Sequence, residues 1–191
     1  MSRNRFSLRA LTGTLAAAAL IALTPAAAQA AGPYQSPFTG DSALVGRTDM
    51  GVDVCLSKGD PIRAVGDGVV TGIIKDWYAG QPYIWYQLTS GPLTGRYVYV
   101  AEQINHLAHV GQKLRAGQPV ARFARKGTCI ETGWSASDGW TLAQATTGYT
   151  EGQVTKAGVS FARFLITLGV EGEFDLHPTP VHHHKHKHKH H

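Results

Sequence analysis

Seven of the ten histidines, His182, His183, His184, His186, His188, His190 and His191, crowd into residues 181–191, interleaved with Lys185, Lys187 and Lys189. Imidazoles so close together bind Zn²⁺, Ni²⁺ or Cu²⁺, although the ammonium charges between them oppose it. The longest histidine run is three, which suits a native tail better than an added tag. Below about pH 6.5 such a tail gains charge and becomes a polycation able to adhere to an anionic polymer. A different chemistry is offered by Asp49-Met50-Gly51-Val52-Asp53. In a strand, alternate residues point the same way, so Asp49, Gly51 and Asp53 share a face and present two carboxylates. Cys55 and Cys129 are the only cysteines, and an even count in an oxidising compartment implies a disulfide. Trp77, Tyr78 and Trp134 stand beside Gly-bearing turns, where an exposed ring can stack on a sugar or a peptide stem.

The elements that must position these groups are mostly strands. Val52 to Leu56, Gly68 to Ile74, Tyr83 to Leu88 and Arg96 to Ala101 are short β-branched or aromatic runs separated by Gly- or Pro-bearing turns, the pattern of an all-β sandwich or barrel. One helix is expected over residues 155–168, because Phe161, Phe164, Leu165 and Leu168 fall at i, i+3, i+4 and i+7 and Gly169 follows to stop it. Residues 31–48 read as an extended lead-in, 49–176 as the β domain, and 177–191 as a disordered His/Lys-rich tail. Before all of these, Arg3, Arg5 and Arg9 precede an apolar run from Leu11 to Leu23 that ends in Ala28-Gln29-Ala30. Residues 1–30 therefore read as a cleavable secretory signal, which implies a secreted, extracellular or cell-wall-associated protein. Those three arginines and the three tail lysines account for six of the 18 basic residues, leaving 12 against 13 acids in the body. Such a body has no basic face for nucleic acid, and no other segment is apolar enough to make an integral membrane protein.

Two segments, Gly59-Asp60-Pro61-Ile62-Arg63-Ala64 and Gly111-Gln112-Lys113-Leu114-Arg115-Ala116, repeat the pattern Gly, polar, any, apolar, Arg, Ala, as paired hairpins do in barrel-sandwich folds. Together with Arg47-Thr48-Asp49-Met50-Gly51-Val52-Asp53 and Gly59 to Val70, then Tyr97 to Glu102, Val110 to Val120 and Gly127 to Trp134, the chain resembles the lysostaphin-type (LytM-like) peptidoglycan endopeptidases. The resemblance spans residues 36–140. It implies a mainly β, lysostaphin-like barrel-sandwich (a duplicated hybrid motif) with one C-terminal helix, acting on peptidoglycan or another cell-wall polymer.

The resemblance also implies a zinc site, and here the chain departs from it. Asp49 stands where that family places its first His ligand, Asp53 keeps the Asp, Glu102 stands at the His that follows Ala, and Cys129-Ile130-Glu131 replaces His-x-His. The family's geometry implies that Asp49, Asp53, Glu102 and Glu131 gather in one groove and that Cys55 and Cys129 come close. Like charges so near cannot all ionise without a counter-charge, so either pKa values rise or a cation binds. Oxygen ligands suit Ca²⁺ or Mg²⁺ better than Zn²⁺, so no zinc is expected in the groove, a hard cation is the alternative there, and transition metals are assigned to the tail. The resulting expectation is a binding or regulatory member without peptidase chemistry. Glycan or peptide hydrolysis with Glu102 and Glu131 as the carboxylate pair is the alternative.

Overall fold

The computed structural model describes residues 32–39, 43–125 and 129–180. Residues 1–30, expected from the sequence to be a secretory signal, and His182 to His191 lie outside the described residues. In chain order the elements are β1 (Leu44–Thr48), β2 (Val52–Cys55), β3 (Pro61–Arg63), β4 (Gly68–Tyr78), β5 (Gln81–Leu88), β6 (Tyr97–Ala101), β7 (Ile104–Asn105), β8 (Lys113–Leu114), β9 (Pro119–Phe123), β10 (Cys129–Ser135), α1 (Leu142–Thr146) and α2 (Lys156–Thr167). Seven strands form one sheet in the order β1-β2-β10-β6-β5-β4-β8, and β3-β9-β7 form another.

Neither sheet closes on itself: the larger one ends in β1 on one side and β8 on the other. The expected barrel-sandwich is thus corrected to an open, two-sheet β sandwich with one dominant C-terminal helix. Among the described residues the outermost strands have one partner each, β8 is two residues long, and no ladder joins it back to β1. Three smaller differences accompany this. The lead-in contains β1, which pairs antiparallel with β2 from Leu44 opposite Cys55 to Thr48 opposite Val52. A short second helix, α1, is capped by Thr141. Residues 177–180 are tied down where Thr179 N–H donates to the Val154 carbonyl at 2.8 Å.

Period-two alternation sorts the large sheet into two faces. Val52, Val54, Ile84, Tyr86, Val98, Val100, Ile130 and Trp134 point into the core, where they meet Ile62, Val120 and Phe123 of the small sheet and Phe161, Ala162 and Leu165 of α2. The helix forms where the apolar spacing predicts, with Thr155 as N-cap accepting from Gly158 N–H, and it buries the face carrying Phe161 and Leu165. The opposite face carries Asp53, Glu131, Tyr83, Tyr99 and Ala101. Its aromatic members form a separate cluster: Tyr83 stacks on Tyr99 with centroids 4.9 Å apart, and Trp77 and Trp85 lie 5.1 and 5.7 Å from Tyr83.

Candidate functional site

The candidate site is centred on β2, β10 and β6. Register places Glu131 opposite Asp53 on one side and opposite Ala101 on the other, so Glu102 leaves β6 beside Glu131. Asp49 sits in the turn joining β1 to β2, where its N–H donates to the Gly51 carbonyl at 3.0 Å. Its own carbonyl accepts from Thr155 N–H and Oγ1, both at 2.9 Å. The start of α2 is thereby fastened to the turn that holds this carboxylate. Glu102 and Gln103 both adopt positive φ, 62° and 42°, a left-handed conformation unusual for residues with side chains. Hydrogen bonds from Glu102 N–H to the Pro82 carbonyl (3.0 Å) and from Gln103 N–H to Gln81 Oε1 (2.9 Å) hold it.

Asp49, Glu102 and Glu131 line one cleft of about 560 Å³, and Asp53 lies behind it, in ion-pair contact with the same arginine as Asp49. That arginine is Arg47, on β1. Its Nη2 reaches Asp49 at 2.9 Å, its Nε reaches Asp53 at 3.2 Å and its Nη1 reaches Glu151 at 2.9 Å. Tyr149 O–H donates to Asp49 at 2.7 Å. The crowding is met by a guanidinium of the chain itself and by raised pKa values. Burial, then the Asp49 charge, pushes Asp53 up to about 6 against the pull of Arg47. Burial and Asp53 raise Glu102. Glu131, only 3% exposed, lies well above the usual carboxylate range because of burial first and Asp49 second, with the Tyr99 hydroxyl acting the other way.

Tyr99 donates to Glu131 Oε1 at 2.5 Å. The ring can lie there because Gly133, its register partner on β10, leaves space: a Cβ added at Gly133 would sit 2.7 Å from Tyr99 Cε1. A Cβ at Gly51 would likewise crowd the Tyr99 hydroxyl and Glu131.

Zinc, which the resemblance implies, does not fit this donor set. Asp49 and Asp53 are ion-paired to a guanidinium, Glu131 accepts from a phenol, and no imidazole is present in the cleft lining. Among the described residues no group of three or more His, Cys, Asp or Glu is arranged to hold a metal ion. His106 and His109 are exposed loop residues.

Cys55 and Cys129 are disulfide-bonded, with Cα atoms 3.9 Å apart and paired in register. They share the face of Asp53 and Glu131, two residues along each strand. Trp77 and Tyr78 line the cleft. Trp134 does not: it is 2% exposed and packs edge-on against Phe161 at 4.9 Å. One step from Gly133 in a period-two strand turns Trp134 to the core, which corrects its expected role as an exposed wall. Trp140 takes that place, 57% exposed at the cleft.

Arg47, Tyr99, Tyr149 and Glu151 join the candidate site although sequence reasoning gives them no role. Only Arg47 leaves a usable signal, as a basic residue two positions before an acidic pair that needs a counter-charge. Among the described residues no helix is long and apolar enough to cross a membrane.

No protein-family model matches the chain, and no curated protein matches it. Among solved structures it is similar to a zinc-containing peptidase from Vibrio cholerae, with 19% identity and a TM-score of 0.44 over 53% of this chain and 36% of that one. A structure from Pseudomonas aeruginosa described as an M23 peptidase gives 17% identity and a TM-score of 0.43 over 62% of this chain and 52% of that one. A mutant catalytic domain of the prophage-encoded M23 protein EnpA from Enterococcus faecalis gives 15% and 0.44, over 59% of this chain and 97% of that one. The chain thus matches little more than a third of the first of these proteins and about half of the second.

Proposed function

We propose that the chain is a secreted, cell-wall-associated domain that binds peptidoglycan or a related wall polymer in the carboxylate and aromatic cleft, without peptidase chemistry. The carrying observation is Arg47. Its guanidinium satisfies Asp49 and Asp53, the two positions that correspond to metal ligands in the lysostaphin-type resemblance. The aromatic wall of Trp77, Tyr78 and Trp140 beside those acids supports a binding role, since ring faces stack on sugars and peptide stems at low entropic cost. Transition-metal affinity, in this reading, belongs to His182 to His191 and not to the cleft.

A second reading is favoured by one feature: Glu102 and Glu131 line the same cleft in unequal environments, one half-buried and one almost fully buried. Unequal burial is how a carboxylate pair divides into acid and base for glycoside cleavage. Incubating the chain with purified peptidoglycan, with and without chelator, separates the two. Retention on the polymer with no released fragments is the expected result. New glycan reducing ends would replace it with the hydrolase, and chelator-sensitive peptide cuts would overturn both.

A further inference from the structure

The cleft holds two carboxylates that the rest of the molecule leaves incompletely served. Glu131 is 3% exposed and has one hydrogen-bond donor among the described residues, Tyr99 on Oε1. Its other oxygen, Oε2, has none, although the side chain lines the cleft. The Glu102 carboxylate, half-buried in the same lining, has no hydrogen-bond donor among the described residues either. Neither Glu131 Oε2 nor the Glu102 carboxylate is sealed in the interior, where the unpartnered side-chain atoms among the described residues are Thr48 Oγ1 and Arg63 Nε; both open to the cleft, where a ligand can supply the donors. Arg47 donates no hydrogen bond to this pair, since its three nitrogens are engaged by Asp49, Asp53 and Glu151, and its charge acts on Glu102 only through space. What the cleft lacks is a small group rich in N–H donors and carrying positive charge.

An ammonium group supplies three donors and one charge at a single atom. The rim narrows the choice of what carries it. Tyr78 and Trp140 are 58% and 57% exposed and stand with Trp77 around the opening. Broad ring faces match the C–H face of a pyranose, and they also attract a cation held close to them. A thin alkyl chain such as that of lysine would leave most of that surface uncovered. We propose that the cleft binds an unacetylated amino sugar, its free ammonium between Glu102 and Oε2 of Glu131 and its ring against the aromatic rim. This rests on the wall-binding reading above and makes the glycan strand, at sites lacking the N-acetyl group, the part that is recognised.

Calorimetry on the full chain with three probes tests it: a glucosamine tetramer, the fully N-acetylated tetramer and trilysine. The glucosamine tetramer should bind at least about tenfold more tightly than the acetylated one, and trilysine more weakly than either. Glu102→Gln should lose about tenfold for the glucosamine tetramer and clearly less for the acetylated one, with circular dichroism checking that the variant is folded. Trp140→Ala should weaken both sugars. Equal affinity for the two tetramers would overturn the ammonium assignment while leaving glycan binding intact. Tightest binding of trilysine would overturn the sugar in favour of a peptide amine. If neither tetramer binds but whole peptidoglycan does, this inference falls and the wall-binding reading stands; if peptidoglycan also fails to bind, that reading falls with it.

Discussion

At the scale of single residues, Arg47 does for this cleft what a bound cation would do for a cluster of acids. It sits 48% exposed while one of its partners, Asp49, is 1% exposed, so the pair straddles the boundary between water and the interior. Removing one partner of a buried pair costs about 3–5 kcal/mol, and a surface pair contributes under about 1 kcal/mol. Arg47→Ala should fall between, at about 2 kcal/mol of stability by urea denaturation near neutral pH. A loss no greater than that of an ordinary surface arginine would show that Asp49 is satisfied by the Tyr149 hydroxyl and the Gly51 N–H. Tyr99→Phe makes the complementary cut: it removes the one donor to Glu131 among the described residues and should cost about 1–3 kcal/mol, the cost of an unsatisfied buried acceptor. Motif order points to all four acids of this site, but the strand alternation expected to align Asp49 with Asp53 does not do so: Asp49 lies in the turn before β2, and the two meet through Arg47. Their partners are not legible in the sequence. Tyr149 and Glu151 lie about a hundred residues from Arg47 and Asp49 in loops without periodicity, and only the docking of α2 against the Asp49 turn brings them over the cleft.

At the scale of elements, α2 is positioned by its first turn as much as by its apolar stripe. Thr155 both caps the helix and donates to the Asp49 carbonyl, and Gly158 packs so closely on that carbonyl that a Cβ there would collide with it. Helix propensity alone makes Gly→Ala favourable by about 1 kcal/mol. Here the collision involves backbone, which cannot swing aside, so Gly158→Ala should lower the melting temperature despite the better helix former. A raised melting temperature would show that the helix is free to shift away from the turn. The disulfide fixes the other side of the site by joining β2 to β10 across a sequence separation of 74. Closing a loop of that length stabilises by about 4 kcal/mol in the chain-entropy model, so Cys55→Ser/Cys129→Ser should lower the denaturant midpoint accordingly. A midpoint unchanged from that of the oxidised chain would place the stability elsewhere. Strand runs and the helix are readable because their periods, two and about 3.6, are written in residue order. Sheet closure is not, since it depends on whether the edges β1 and β8 meet, and no local pattern encodes that. Trp134 shows the same limit at finer grain: which face of β10 it takes turns on a one-residue parity that composition leaves open.

At the scale of the whole molecule, the cleft makes folding work against its own ionisation. Asp53 moves from 3.8 to about 6 on folding, driven by burial and by Asp49, and Glu102 and Glu131 are raised as well, first by burial. A carboxyl whose folded pKa exceeds its unfolded value binds its proton more tightly in the folded state. Its stabilising contribution is therefore complete below the unfolded pKa and is lost as pH rises through the folded one. For Asp53 that window runs from about pH 4 to about pH 6, the reverse of ordinary acid denaturation, in which paired carboxylates with lowered pKa values lose stability as pH falls. Asp53→Asn holds the site in its uncharged form at every pH. Measured as the difference between the two proteins, the denaturant midpoint of the wild-type chain should decline relative to Asp53→Asn as pH is raised from about 4 to about 6 and then run parallel to it. A difference that stays constant across that window would mean that Arg47 fully compensates Asp53, and the cleft would then have no unmet need for positive charge at that position. A declining difference would show that one guanidinium is too little cation for the five acids around it, Asp49, Asp53, Glu102, Glu131 and Glu151, which is the condition under which an incoming ammonium group gains most by binding beside Glu102 and Glu131.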